Sequence, residues 1–149
     1  MPGIEGFFDK ATSTASFLVW DPVTRDAAII DAVLDFDAAT GKLGTRSADA
    51  VLARADVLGL KVIWALETHA HADHLSAANH IRKLTGARIG IGSRITEVQT
   101  QFRAMFGAPE AETEGAVFDR LFADGDTFRI GAVQARVMHT PGHTPACVT

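Results

Sequence analysis

The chain holds a single cysteine, Cys147, in 149 residues, so no disulfide can form within it. That suits a reducing compartment, and the cytoplasm is the expected location. No uninterrupted apolar run approaches the roughly 20 residues that a membrane helix needs, so a membrane is not an expected partner. The opening residues, MPGIEGFFDKATST, lack a basic stretch followed by an apolar core and do not read as a secretory leader. Basic runs are missing too. With a net charge of −4 and a pI near 5.8, nucleic acid is excluded as a partner on charge grounds. Internal repeats and low-complexity linkers are absent.

What the chain does have is a globular balance, 47% apolar and 21% charged, over the length of one domain. Residues Thr14–Trp20 read as a strand stopped by Asp21-Pro22, and Ala27–Ile30 as its hairpin partner, ending at Asp31. The stretch from Asp35 to Gly44 shows no period and reads as a loop. Ser47 is a candidate helix cap, with Val51, Leu52, Ala55 and Leu58 at helical spacing behind it and Gly59 closing the helix. Lys61–Leu66, KVIWAL, is apolar on both faces and reads as a buried strand. A helix from Ser76 to Thr85, closed by Gly86, and a strand at Arg88–Ile91 complete a βαβ unit. Ser93 is placed to cap a third helix reaching Phe106, whose stripe of Val98, Phe102, Met105 and Phe106 is expected to pack into the core. An acidic loop over 107–115 follows. Leu121-Phe122 is a short strand or turn, and Thr127–Ile130 with Val133–Met138 form a hairpin across Gly131-Ala132.

Between the buried strand and the second helix lies THAHADH. His69, His71, Asp73 and His74 fall within six positions, a pattern expected by chance with a probability on the order of 10⁻³. Imidazole and carboxylate are the usual ligands of zinc and non-haem iron. In an extended segment, residues two apart point the same way, so His69, His71 and Asp73 can share one side. The cluster sits just past the C-terminal end of a strand, where ligand sites of α/β sheets commonly lie. A second histidine turn, Thr140-Pro141-Gly142-His143-Thr144, follows the last hairpin. His69, His71 and His143 supply the three protein ligands of a catalytic metal site with an open position. His80 reads as a surface or supporting group, His139 as a packing or hydrogen-bonding one, and Cys147 as a small buried residue.

THAHADH after an apolar strand, and TPGHT after a hairpin, together resemble the metallo-β-lactamase fold superfamily. FFDKATSTASFLVWD, AAIIDAVLDFD, LETHAHADHLSAA and HTPGHTPACVT further resemble its persulfide dioxygenase branch, with the glyoxalase II thioester hydrolases as near relatives. The resemblance implies an α/β fold, the αββα sandwich, of which residues 1–149 are the N-terminal half of a domain incomplete at its C-terminus. In the hydrolases it implies zinc on His69, His71 and His143, with Asp73 and His74 serving a second metal. In the dioxygenase branch it implies one Fe(II) on His69, His143 and a carboxylate, with His71, Asp73 and His74 orienting those ligands.

Oxidation of a glutathione persulfide with O₂ is the activity this implies. Zinc-dependent thioester hydrolysis is the alternative, with Asp73 holding metal or orienting the attacking water. Family members continue past TPGHT with more strands and a further ligating aspartate, whereas the sequence ends six residues after His143. The 149-residue chain by itself is therefore expected to be a poorly active fragment, or one half of a homodimer whose two copies complete each other.

Overall fold

The computed structural model describes residues 1–71, 74–108 and 113–149. In chain order its strands and helices are β1 (Gly3–Asp9), β2 (Thr14–Trp20), β3 (Asp26–Ile30), β4 (Val33–Asp37), β5 (Lys42–Gly44), α1 (Arg46–Val57), β6 (Lys61–Glu67), β7 (Leu75–Ser76), α2 (Ala78–Thr85), β8 (Arg88–Gly92), α3 (Ile95–Met105), β9 (Arg120–Phe122), β10 (Thr127–Ile130) and β11 (Val133–Arg136). A six-stranded sheet runs β1-β2-β3-β6-β8-β9. Its first three strands are antiparallel neighbours, and β3, β6, β8 and β9 are mutually parallel.

Strand β6 lies at the centre of the parallel part, paired on both edges, which is why its sequence carries apolar residues on both faces. On one face the helices cover it. Ala48, Val51 and Ala55 of α1 and Ala78 and Ile81 of α2 meet Leu18, Ile29, Val62 and Ile89 of the sheet. Leu18 and Ile81 are completely buried, each contributing about 1.5–3 kcal/mol over an exposed position. On the other face, the β10–β11 hairpin lays Phe128 and Ile130 against Ala28, Trp64 and Phe122. The Trp64 indole N–H reaches across the layers to the Arg129 carbonyl at 3.1 Å. The result is one helical layer, a sheet, and the start of a second β layer. This second face of the sheet is thus covered at its middle, while Ile4, Phe8 and Phe17 remain exposed.

The hairpin's tight end is fixed by Gly131, with φ +62, where a Cβ would lie 1.9 Å from Thr24 Oγ1. The neighbouring Ala132 N–H donates to Asp21 Oδ2 at 2.7 Å, pinning the second layer to the β2–β3 turn.

The structure differs from the sequence expectations at several points. Residues 3–9 form an edge strand that the sequence reading assigns no element. The supposed loop from Asp35 to Gly44 contains the β4–β5 hairpin, which turns through Gly41 at φ +68. Ser47 does not cap α1. The helix begins at Arg46, and Ser47 lies inside it, its hydroxyl donating to Asp35 Oδ1. Asp35 also accepts the Ser47 N–H at 3.2 Å, so a β4 carboxylate takes up the free donor. The second helix starts at Ala78 because Leu75-Ser76 pair with β4, although Ser76 Oγ still accepts the Ala78 N–H at 3.0 Å. Ser93 likewise gives no cap; α3 begins at Ile95 after Arg94. Its stripe is not core. Only Ile95 and Val98 reach the cluster with Ile91 and Ala146, while Phe102, Met105 and Phe106 are exposed. No helix among the described residues is long and apolar enough to cross a membrane.

Candidate metal centre

Parallel pairing decides where the site lies. Ile30 stands opposite Leu66, so β3 and β6 end at the same edge of the sheet, and the next residues, Asp31 and Glu67, come side by side. Asp31 turns out of β3 with φ +53, a left-handed conformation that aspartate tolerates better than most residues. Its N–H donates to the Leu66 carbonyl at 2.9 Å. The last residues of the chain come to the same edge, since the Val148 N–H donates to the Thr68 carbonyl at 2.9 Å. That contact brings the His143 turn over the end of β6.

Four of the sequence-predicted histidines meet there. The ring centroids of His69 and His71 are 4.0 Å apart, those of His69 and His143 4.9 Å, and those of His71 and His74 4.0 Å. Asp73, the fifth predicted site residue, lies outside the described residues.

Hydrogen bonds assign the ring nitrogens. The Thr68 hydroxyl has one proton, and it goes to Asp31 Oδ2 at 2.8 Å. His69 Nδ1, 2.9 Å from the Thr68 hydroxyl oxygen, must therefore be the donor in their contact, which makes Nε2 the candidate ligating atom. His71 is turned the other way. Its Nε2 lies 3.1 Å from Asp31 Oδ1 and 3.2 Å from Glu67 Oε2, leaving Nδ1 for a metal. His74 Nδ1 lies 3.2 Å from Thr14 Oγ1, which is 2.9 Å from Thr12 Oγ1, and Thr12 in turn reaches Asp9 Oδ2 at 2.8 Å. A line of hydroxyls thus ties His74 to a carboxylate on β1.

Asp31 and Glu67 are residues of the candidate site that the sequence reading missed. Each is a lone acid closing an apolar strand beside the histidine cluster, which was the available signal. Asp31 accepts the Thr68 N–H at 2.7 Å besides the Thr68 hydroxyl and His71. Burial pushes its carboxyl up, but the His71 and Thr68 donors outweigh it and hold it below the ordinary aspartate value. Glu67 goes the other way: burial dominates and raises its carboxyl above the usual range, although Ser76 donates to its Oε1. For His71, burial works against the charged ring, yet the two carboxylates prevail and lift it to about 9.

Ligand-capable atoms of Asp31, Glu67 and His71 lie within 4.8 Å of one another. Both Asp31 oxygens already accept bonds from Thr68, so this trio works as a seat for the His71 ring and not as a cation site of its own. The outer histidines behave as read from sequence, with one choice settled. His80 takes the surface role, with Nε2 2.7 Å from Asp49 Oδ1 between α2 and α1, away from the centre. His139 Nε2 donates to the Pro145 carbonyl at 2.8 Å. Cys147 is buried, with the Thr144 N–H 3.2 Å from its sulfur.

The donor set fits a metal. Three imidazoles converge from two chain segments, two of them with their ligating nitrogen fixed by a bond at the other.

Comparison with known proteins gives the family. The family model described as the metallo-beta-lactamase superfamily matches residues 9–149. A "probable metallo-hydrolase" of Burkholderia pseudomallei is 51% identical over 147 residues, 98% of this chain and 50% of the relative. "Glyoxylase B2" of Dictyostelium discoideum is 38% identical, over 98% of this chain and 51% of its own. The human mitochondrial "persulfide dioxygenase ETHE1" is 31% identical, over 95% and 44%. Among solved structures, ETHE1 from Myxococcus xanthus superposes with a TM-score of 0.73 at 27% identity, covering 98% of this chain and 52% of that one. The chain thus spans about half the length of these relatives.

Proposed function

Because the chain belongs to the metallo-beta-lactamase superfamily, we propose that His69 and His143 hold a single catalytic metal, Fe(II), with His71 orienting those ligands, in an enzyme that oxidises a glutathione persulfide with O₂. The observation that carries this is the convergence of the His69 and His143 rings, 4.9 Å apart, from segments more than seventy residues distant in sequence. Similarity to persulfide dioxygenases in sequence and in structure supports the choice of reaction.

When bound, the metal supplies Lewis acidity and open coordination positions for small reactants. The chain's residues do the rest. Thr68 holds His69 so that Nε2 faces the centre. Asp31 holds the His71 Nε2–H, which fixes that ring's tautomer. Asp73 is proposed to bind metal or to orient a water beside it. His74, tied to Thr14, flanks the same centre.

Zinc-dependent thioester hydrolysis is the second reading, supported by the higher identity to the glyoxylase B2 relative, 38% against 31%. Metal analysis of anaerobically purified protein, with O₂ uptake on glutathione persulfide, decides between them. One iron per chain with O₂ consumption supports the dioxygenase. Bound zinc with O₂-independent thioester cleavage overturns it in favour of the hydrolase.

A further inference from the structure

The two carboxylates beside His71 are not equivalent. Asp31 is saturated: it accepts the Thr68 N–H, the Thr68 hydroxyl and the His71 ring N–H. Among the described residues Glu67 accepts one hydrogen bond, from the Ser76 hydroxyl at Oε1. Its other oxygen, Oε2, is fully buried, has no hydrogen-bond donor among the described residues, and lies 3.2 Å from His71 Nε2. A buried carboxylate oxygen left without a donor is costly and opposes folding unless positive charge compensates it. In the metal-free fold the two carboxylates share the single His71 Nε2–H, so the second adds a buried charge without adding a donor among the described residues.

We propose that Glu67 is a positioning residue built for the metal-loaded state: its second oxygen, 3.2 Å from His71 Nε2, polarises the ring and strengthens Nδ1 as a ligand, while adding no hydrogen-bond donor to the buried cluster of the metal-free chain. The inference rests on the zinc reading, in which His69, His71 and His143 are the metal's ligands. A metal at Nδ1 draws electron density from the ring and makes the Nε2–H side more positive. Two carboxylates then match what one matched before. Acidic partners on the remote nitrogen of a ligating histidine raise its basicity, and losing one typically costs 10–100-fold in metal affinity. Glu67 also links both ends of the histidine loop. It precedes Thr68, and its Ser76 partner accepts the first N–H of α2.

The test is Glu67→Gln, which keeps the size and leaves an oxygen for Ser76. Zinc alone is titrated against a chromophoric chelator, and thermal unfolding is followed in excess chelator. The expected result is a zinc affinity 10–100-fold weaker than wild type, with the metal-free melting temperature unchanged or raised. A variant affinity within threefold of wild type overturns the proposal. So does a variant that melts lower without metal or fails to fold, because Glu67 then serves the fold itself. If the wild-type protein binds no zinc, the metal-centre reading falls first and takes this one with it; wild-type binding with an unaffected variant removes only the role of Glu67.

Discussion

Replacing Asp31 by alanine should damage the fold in a way that replacing its neighbour Glu67 does not. The side chain is only 12% exposed and anchors three donors from the β6–loop junction. Removing it leaves the Thr68 N–H and hydroxyl without their acceptor and the His71 ring N–H with Glu67 alone. Breaking a buried charged network by deleting one partner costs about 3–5 kcal/mol. For a chain of this length each kcal/mol moves the melting temperature by roughly 2–4 °C, so a drop of about 6–20 °C is expected. Circular dichroism melts of the wild-type and Asp31→Ala proteins, both in excess chelator, measure it. A drop smaller than about 2 °C would refute the reasoning, because Thr68 and His71 would then have found other partners at no cost. The same variant should also bind zinc more weakly, since the His71 ring loses the bond that fixes its tautomer.

Ile81, fully buried under the sheet, should cost about 2–5 kcal/mol when cut to alanine, read by denaturant unfolding. Gly131→Ala should destabilise by at least about 1–2 kcal/mol, from the positive φ and the clash with Thr24. Hydrogen exchange should show the loss centred on the β10–β11 hairpin. The Ile89 N–H and the Arg82 guanidinium hold the Asp119 carboxyl below its unfolded value of 3.8. That stabilisation is present above the unfolded value and fades as pH falls through the lower folded one. Asp119→Asn should therefore flatten the acid side of a melting-temperature profile, and an unchanged profile would contradict the assignment. Zinc at one hundred times its Kd should raise stability by about 2.7 kcal/mol, reversibly on chelation.

The sequence exposed the sheet's centre and the metal cluster for the same reason: both are local patterns. KVIWAL is apolar on both faces because β6 is paired on both edges, and THAHADH and TPGHT carry their chemistry within a few residues. What stayed hidden depended on distant partners. Asp35 takes the capping role that Ser47 was expected to fill, and Ser76, expected to begin the second helix, pairs with β4 instead. Phe102, Met105 and Phe106 have the spacing of a buried stripe, yet α3 meets its neighbours only at Ile95 and Val98. Asp31 and Glu67 look like ordinary strand ends until parallel pairing of β3 and β6 sets them together beside His71.

The bond from Trp64 to the Arg129 carbonyl gives the protein an optical reporter of its own. The indole is only 6% exposed, packed at 5.9 Å from Phe122 and 5.7 Å from Phe128. It is buried only while β10 and β11 lie on the sheet, and the chain that leaves β11 is the one that delivers His143 to His69. Any event that lifts this hairpin wets the indole, shifts its emission to the red, and at the same moment takes one imidazole away from the other two. With Trp20, the chain's other tryptophan, replaced by phenylalanine, fluorescence from Trp64 therefore follows, in real time, whether the two halves of the centre are joined.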